Sequence, residues 1–112
     1  MEQDRRAIEH AKSLCHEYLD DIVFYPKNAL RFKSDRQYDL IWSAGLFDYF
    51  SDSVFVFMLR KLATMVSKSG EIVIGNFSTK NPSKPYMELF EWNLHHRSPS
   101  TLKALAEEAV FL

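Results

Sequence analysis

Apolar and polar positions alternate along the chain in two different rhythms. From about Asp4 to Leu19 the apolar residues Ala7, Ile8, Ala11, Leu14, Cys15 and Tyr18 recur at helical spacing, and Asp4 is placed to cap the helix they predict. Cys15 lies in that face and reads as a small core residue rather than a nucleophile. Asp21 to Tyr25 is a short run of β-branched and aromatic residues, which predicts a strand ended by Pro26. Residues 26–37 are polar and predict a loop. Asp39 to Ser43 holds the continuous apolar run Leu40-Ile41-Trp42, as expected of a second strand buried on both faces. Ser51-Asp52-Ser53 supplies N-cap chemistry for a helix reaching about Ser67, with Val54, Met58, Leu59, Leu62, Met65 and Val66 as its stripe and Phe55 and Phe57 widening it. Ser69-Gly70 is the expected stop of that helix, and Glu71 to Phe77 the third strand. Asn81-Pro82-Ser83 predicts a loop and Lys84 to Trp92 a short helix that tolerates Pro85 in its first turn. Ser98-Pro99 opens a last helix lined by Leu102, Leu105, Ala106 and Ala109.

Short apolar strands separated by helices predict an α/β fold: about three parallel strands flanked by helices, in one domain spanning 1–112. Apolar residues make up 46% of the 112, enough for a folded core and against disorder. The formal net charge of -1 removes the electrostatic case for nucleic acid. The single cysteine cannot form an internal disulfide. The charged start, MEQDRRAIEH, has no signal-peptide character, and no run approaches the ~20 apolar residues of a membrane helix. A cytoplasmic protein is expected.

Ligands of open parallel sheets bind at the carboxyl ends of the strands. Here those ends are Tyr25 to Ala29, Ser43 to Tyr49, and Gly75 to Ser78, all dense in small or polar residues. Gly45 and Gly75 would admit a ligand close to the backbone, and Asp48 and Asn76 could hold its polar groups. Trp92, His95, His96 and Arg97 form a further cluster between two helices. Arg97 could pair with a carboxylate and a histidine could act as base, or the stretch could be a helix junction with partly buried aromatics. A metal site would need a second ligand cluster, which the sequence does not contain.

The stretches EQDRRAIEHA, YPKNALRF, YDLIWSAGLFDYF, SKSGEIVIGNF and NPSKPYMELFEWNLHHRS together resemble the middle and later part of a class I S-adenosylmethionine-dependent methyltransferase. The likeness is nearest to bacterial enzymes of fatty-acid methyl ester formation. It implies a partial Rossmann-like sheet with S-adenosylmethionine as cofactor and a small-molecule or fatty-acid carboxyl acceptor. By matching position, Glu2, with Asp4 next, would bind the ribose hydroxyls, unless both simply favour a helix N-terminus. Asn28 and Ala29 would meet the adenine, unless Asn28 is a turn former. Ser43, Ala44 and Gly45 would pass the methionine portion and the reacting methyl. Asp48, Tyr49 and Asn76 would face the acceptor, with Tyr86, Trp92, His96 and Arg97 also assigned to it.

The chain departs from that family at both ends. No glycine-rich GxGxG turn occurs, the family's second strand survives only as a stub at Met1-Glu2, and no closing β-hairpin follows the last helix. A cofactor site lacking that turn predicts weak activity, or none, for the chain alone. A sheet lacking its central strand predicts either a small three-stranded sheet or a homo-oligomer that completes itself through an exposed edge. A non-enzymatic, self-associating degenerate module is the alternative, and a different small α/β binding protein a third reading.

Overall fold

The computed structural model describes residues 1–111. The chain divides into two units, Met1–Ser34 and Asp35–Leu112, where a single domain is expected from the sequence.

In the first unit Asp4 accepts the Arg6 amide at 2.9 Å and starts helix α1, Arg5–Leu14. The helix ends at Cys15, short of the predicted Leu19, and tightens into a 3₁₀ turn at His16–Asp21. Of the predicted apolar face only Ile8 is fully buried; Leu14 and Tyr18 are exposed, and Cys15 is a half-buried free thiol. The predicted strand at 21–25 does not form. Ile22 has extended torsions, but a strand is defined by a ladder as well as by extended backbone. The interstrand-like bond the segment makes is one rung, from the Glu2 amide to the Tyr25 carbonyl at 3.0 Å. Asn28 accepts the Leu30 amide and caps a 3₁₀ turn at Ala29–Arg31. Beyond it Phe32 is buried, its ring edge-on to Tyr25 at 5.0 Å.

The second unit is a parallel pair of strands with helices. Strand β1, Tyr38–Ser43, leads through a 3₁₀ turn at Phe47–Tyr49 into helix α2, Asp52–Ala63. Ser51 caps α2 by accepting the Val54 amide. The helix stops at Ala63 and not at Ser69-Gly70, because Thr64 bonds back to Lys61 through both its amide and its hydroxyl. Strand β2 therefore begins early and runs Val66–Ile74. Helix α3, Lys84–Leu89, and helix α4, Pro99–Phe111, complete the unit. Ser98 caps α4 by accepting the Thr101 amide at 3.2 Å.

The sheet has two strands, not three, and its register is interrupted. Tyr38 pairs with Val66, yet Leu40 pairs with Glu71, so β2 carries three residues more than β1 between the two pairs (71 − 66 = 5 against 40 − 38 = 2). Gly70 lies in this bulge, where a Cβ would meet the Asp39 carbonyl oxygen at 2.8 Å. Beyond the bulge the ladder is regular to Ser43 opposite Ile74.

The core lies on the helical side. Phe47 and Phe55 are completely buried and meet edge to face at 4.9 Å, with Phe50 edge-on to Phe47 at 5.2 Å. Val56, Met58, Leu59, Leu62 and Met65 from α2 and its exit are buried with Leu105 and Ala109 of α4. Helices α2 and α4 pack together, and Arg60 donates to the Ala109 and Glu108 carbonyls at 3.3 and 3.2 Å near the end of α4. The expectation that β1 is buried on both faces fails: Leu40 is 60% and Trp42 73% exposed. Side chains of a strand alternate between faces, and Leu40, Trp42 and Val73, which is opposite Trp42, share one face and are all exposed.

Candidate functional site at the strand tips

The carboxyl ends of β1 and β2 lie side by side. The last rung of the ladder runs from the Gly75 amide to the Ser43 carbonyl at 3.0 Å. From there the chains diverge, one through Ala44 and Gly45 and the other through Asn76 and Phe77. Ala44 and Gly45 are exposed, and Gly45 adopts φ +73°, a left-handed conformation that glycine reaches without strain. Nothing lies within 4 Å of a Cβ built there, so the position needs glycine for its torsion and leaves open space beside it.

The two diverging loops are tied together by buried polar groups. Asp48 is only 3% exposed, and its carboxylate accepts the Phe77 amide at 2.6 Å. Its carbonyl accepts the His95 amide at 2.7 Å, while the Phe77 carbonyl accepts the Arg97 amide at 2.9 Å, so residues 95–97 run alongside both loops. Asn76 donates through Nδ2 to the His95 and Phe77 carbonyls and accepts through Oδ1 from Arg97 at 2.8 Å. Arg97 is likewise 3% exposed. Its guanidinium also reaches the Phe47 and Phe50 carbonyls and one oxygen of Asp52, with both Nε and Nη2 at 3.1 Å from that oxygen.

Around this hydrogen-bonded floor stand exposed aromatics. Trp92 donates its indole N–H to the Tyr49 hydroxyl at 3.1 Å, and both rings are half open to solvent. Tyr86 and Phe90 meet at a tilt, ring centroids 5.0 Å apart, and are also exposed. His96 lies over Phe77 with ring centroids 5.8 Å apart. Its Nε2 sits 3.1 Å from the Asn81 amide nitrogen and its Nδ1 3.2 Å from the Leu94 carbonyl. Asn81 also accepts the Ser83 amide through Oδ1, which makes its Nδ2 the donor to His96 and puts the imidazole proton on Nδ1.

The residues expected at a ligand thus divide. Ser43, Ala44, Gly45, Asp48, Tyr49, Asn76, Trp92, His96 and Arg97 come together within the second unit. Tyr86 stands on α3, paired with Phe90. Glu2, Asp4, Asn28 and Ala29 belong to the first unit, and there the local roles are filled: Glu2 accepts the Gln3 and Asp4 amides, while Asp4 and Asn28 each cap a helical turn. Arg97 differs from expectation in kind. All of its donors are engaged inside the protein, so pairing with a ligand carboxylate would require dismantling that network. From the sequence Asp52 and Asn81 have only a capping and a loop role, not a place at the site. Asp52 sits in the Ser-Asp-Ser capping run, and its contact with Arg97 spans 45 residues, which no local pattern reveals. Among the described residues no three His, Cys, Asp or Glu side chains gather as a metal site, and no helix is long and apolar enough to cross a membrane.

No family model and no curated protein matches the chain. Among solved structures it is similar to a possible exported protein from Bordetella parapertussis, with a TM-score of 0.80 and 20% sequence identity. That match covers 96% of this chain and 44% of the other, so the chain spans less than half the length of that protein. The likeness shows a shared α/β fold.

Proposed function

We propose that the chain is a methyltransferase-like segment whose second unit binds the methionine end of S-adenosylmethionine at the tips of β1 and β2. The observation that carries this reading is the pairing of two parallel strand ends at Ser43 and Gly75, opening onto the exposed, left-handed Gly45. Open α/β sheets bind ligands at such ends, and unencumbered backbone beside Gly45 suits a close-lying aliphatic chain. Methyl transfer to a carboxylate needs no general base; it needs the acceptor oxygen held in line with the methyl sulfonium. The fixed loops carrying Asp48 and Asn76, with Tyr49 and Trp92 beside them, suit that task for a small-molecule acceptor with an apolar or fatty body. The sequence has no glycine-rich turn to wrap the carboxypropyl end, so activity of the chain alone is weak or nil. A cytoplasmic location fits this reading.

Calorimetric titration with S-adenosylhomocysteine tests it. Micromolar binding by the wild-type chain, weakened by Gly45→Val, is expected. A folded, monodisperse sample that takes up no heat of binding overturns it.

A second reading is favoured by a separate observation. The exposed Leu40, Trp42 and Val73 share one sheet face, and each strand has a single neighbour. A non-enzymatic module that self-associates into a homo-oligomer through this surface would cover it.

A further inference from the structure

We infer that Arg97 is the positioning residue of the strand-tip crevice, the side chain that sets how the loop after β1 stands against the loop after β2. A guanidinium has five N–H donors, and here five bonds are made: Nε and Nη2 to Asp52 Oδ1, Nη2 to the Phe50 carbonyl, and Nη1 to the Phe47 carbonyl and Asn76 Oδ1. The acceptors come from three places: the turn at 47–50, the first residue of α2, and the exit of β2. The Phe47 and Phe50 carbonyls bracket Asp48 and Tyr49, so the two residues between them inherit the geometry. Below the guanidinium lies the Phe55 ring, 4.7 Å from the central carbon to the ring centroid.

A packing role alone would use the aliphatic stem and leave the fork free. The planar fork is what this site uses, because three donors on a rotating ammonium cannot meet four fixed acceptor oxygens through five bonds. Arg97 acts through Asn76 and the 47–50 turn and touches no ligand itself. That the geometry so fixed serves a ligand rests on the methyltransferase-like reading; that Arg97 fixes it does not.

The test compares Arg97→Lys and Asp52→Asn with Leu105→Ala, a core variant in α4 remote from the fork. Amide hydrogen exchange is read at Phe77 and His95, whose N–H groups bond to Asp48, and S-adenosylhomocysteine binding is read by calorimetry. Arg97→Lys should speed exchange at both amides by about tenfold or more, the factor corresponding to one lost charge-assisted bond. Asp52→Asn should do so by less, and Leu105→Ala should leave both amides protected relative to its own global stability. Equal exchange in Arg97→Lys and Leu105→Ala, each corrected for global stability, overturns the inference. If Arg97→Lys does not fold, Asp52→Asn decides the matter by the same comparison. Loss of binding in parallel with the faster exchange supports the role at a ligand site. A wild-type chain that binds no S-adenosylhomocysteine removes the methyltransferase-like reading and leaves the exchange result to judge Arg97.

Discussion

The carboxylate of Asp48 accepts the main-chain N–H of Phe77 at 2.6 Å, closing the loop after β1 onto the loop after β2. Asp48 is 3% exposed and the bond is partly buried, so an amide that loses its acceptor there bears a desolvation cost. Asp48→Ala should therefore lower the unfolding free energy by roughly 1–3 kcal/mol. Asp48→Asn keeps an acceptor oxygen and should cost less. Urea denaturation of the two variants beside wild type measures the difference; equal losses would show that the oxygen is not what matters.

The three glycines should rank by their surroundings. At Gly70 a Cβ would press on the Asp39 carbonyl, Ser67 Oγ and Val66 Cγ2, each at 2.8 Å, and a backbone oxygen in a bulge has little room to move. At Gly45 there is space but φ is +73°, which costs an L-residue about 1 kcal/mol. At Gly75 a Cβ would lie 4.0 Å from the Ser43 carbonyl oxygen. Thermal melting of the alanine variants should show the largest drop for Gly70→Ala, a smaller one for Gly45→Ala and the least for Gly75→Ala.

Phe55 is fully buried between Phe47 and the Arg97 guanidinium. Phe55→Ala removes an aromatic ring from the core and the platform under a buried cation, at a cost of about 3–5 kcal/mol. That is a large share of the stability of a small domain. Loss of a cooperative transition in calorimetry is the expected outcome, and Phe55→Leu should retain one.

Trp42 is 73% exposed, so Trp42→Thr should change the unfolding free energy by no more than about 0.5 kcal/mol. If the sheet face is a contact between copies, the same substitution should lower the sedimentation-average mass at high concentration. An unchanged mass distribution would remove Trp42 from any self-association.

How far the sequence could be read follows from which signals are local. Helices α2 and α4 were legible because Ser51 and Ser98 precede apolar residues at helical spacing, and both serines do cap. Strand β1 was legible as an apolar run, within one residue of its start. The run at 21–25 carries equal strand propensity, but a strand exists only where a partner offers a ladder, and propensity does not contain the partner. Ser69-Gly70 has the composition of a helix stop, yet Thr64 had already ended the helix, and Gly70 serves a bulge instead. At the site, the strand-tip rule points to Asp48 and Asn76 but not to Arg97, which the sequence offers only in a separate cluster between two helices, and the engagement of the three with one another is not legible. Their partners are main-chain carbonyls and an aspartate far away in sequence, which composition and spacing do not encode.

The bulge in β2 bears on how uniquely so small a sheet is aligned. A two-stranded ladder is short enough to slide, and a slip by one place would turn every side chain to the opposite face. Here Tyr38 is matched to Val66 on one side of the bulge, where residues 67–70 stand against Asp39 alone, and Leu40 through Ser43 are matched to Glu71 through Ile74 on the other. A slip would have to displace both blocks together while carrying Gly70 away from the Asp39 carbonyl that leaves room for no other residue. The irregularity works as a key in a lock, admitting one alignment, and with it one height at which Ser43 and Gly75 meet.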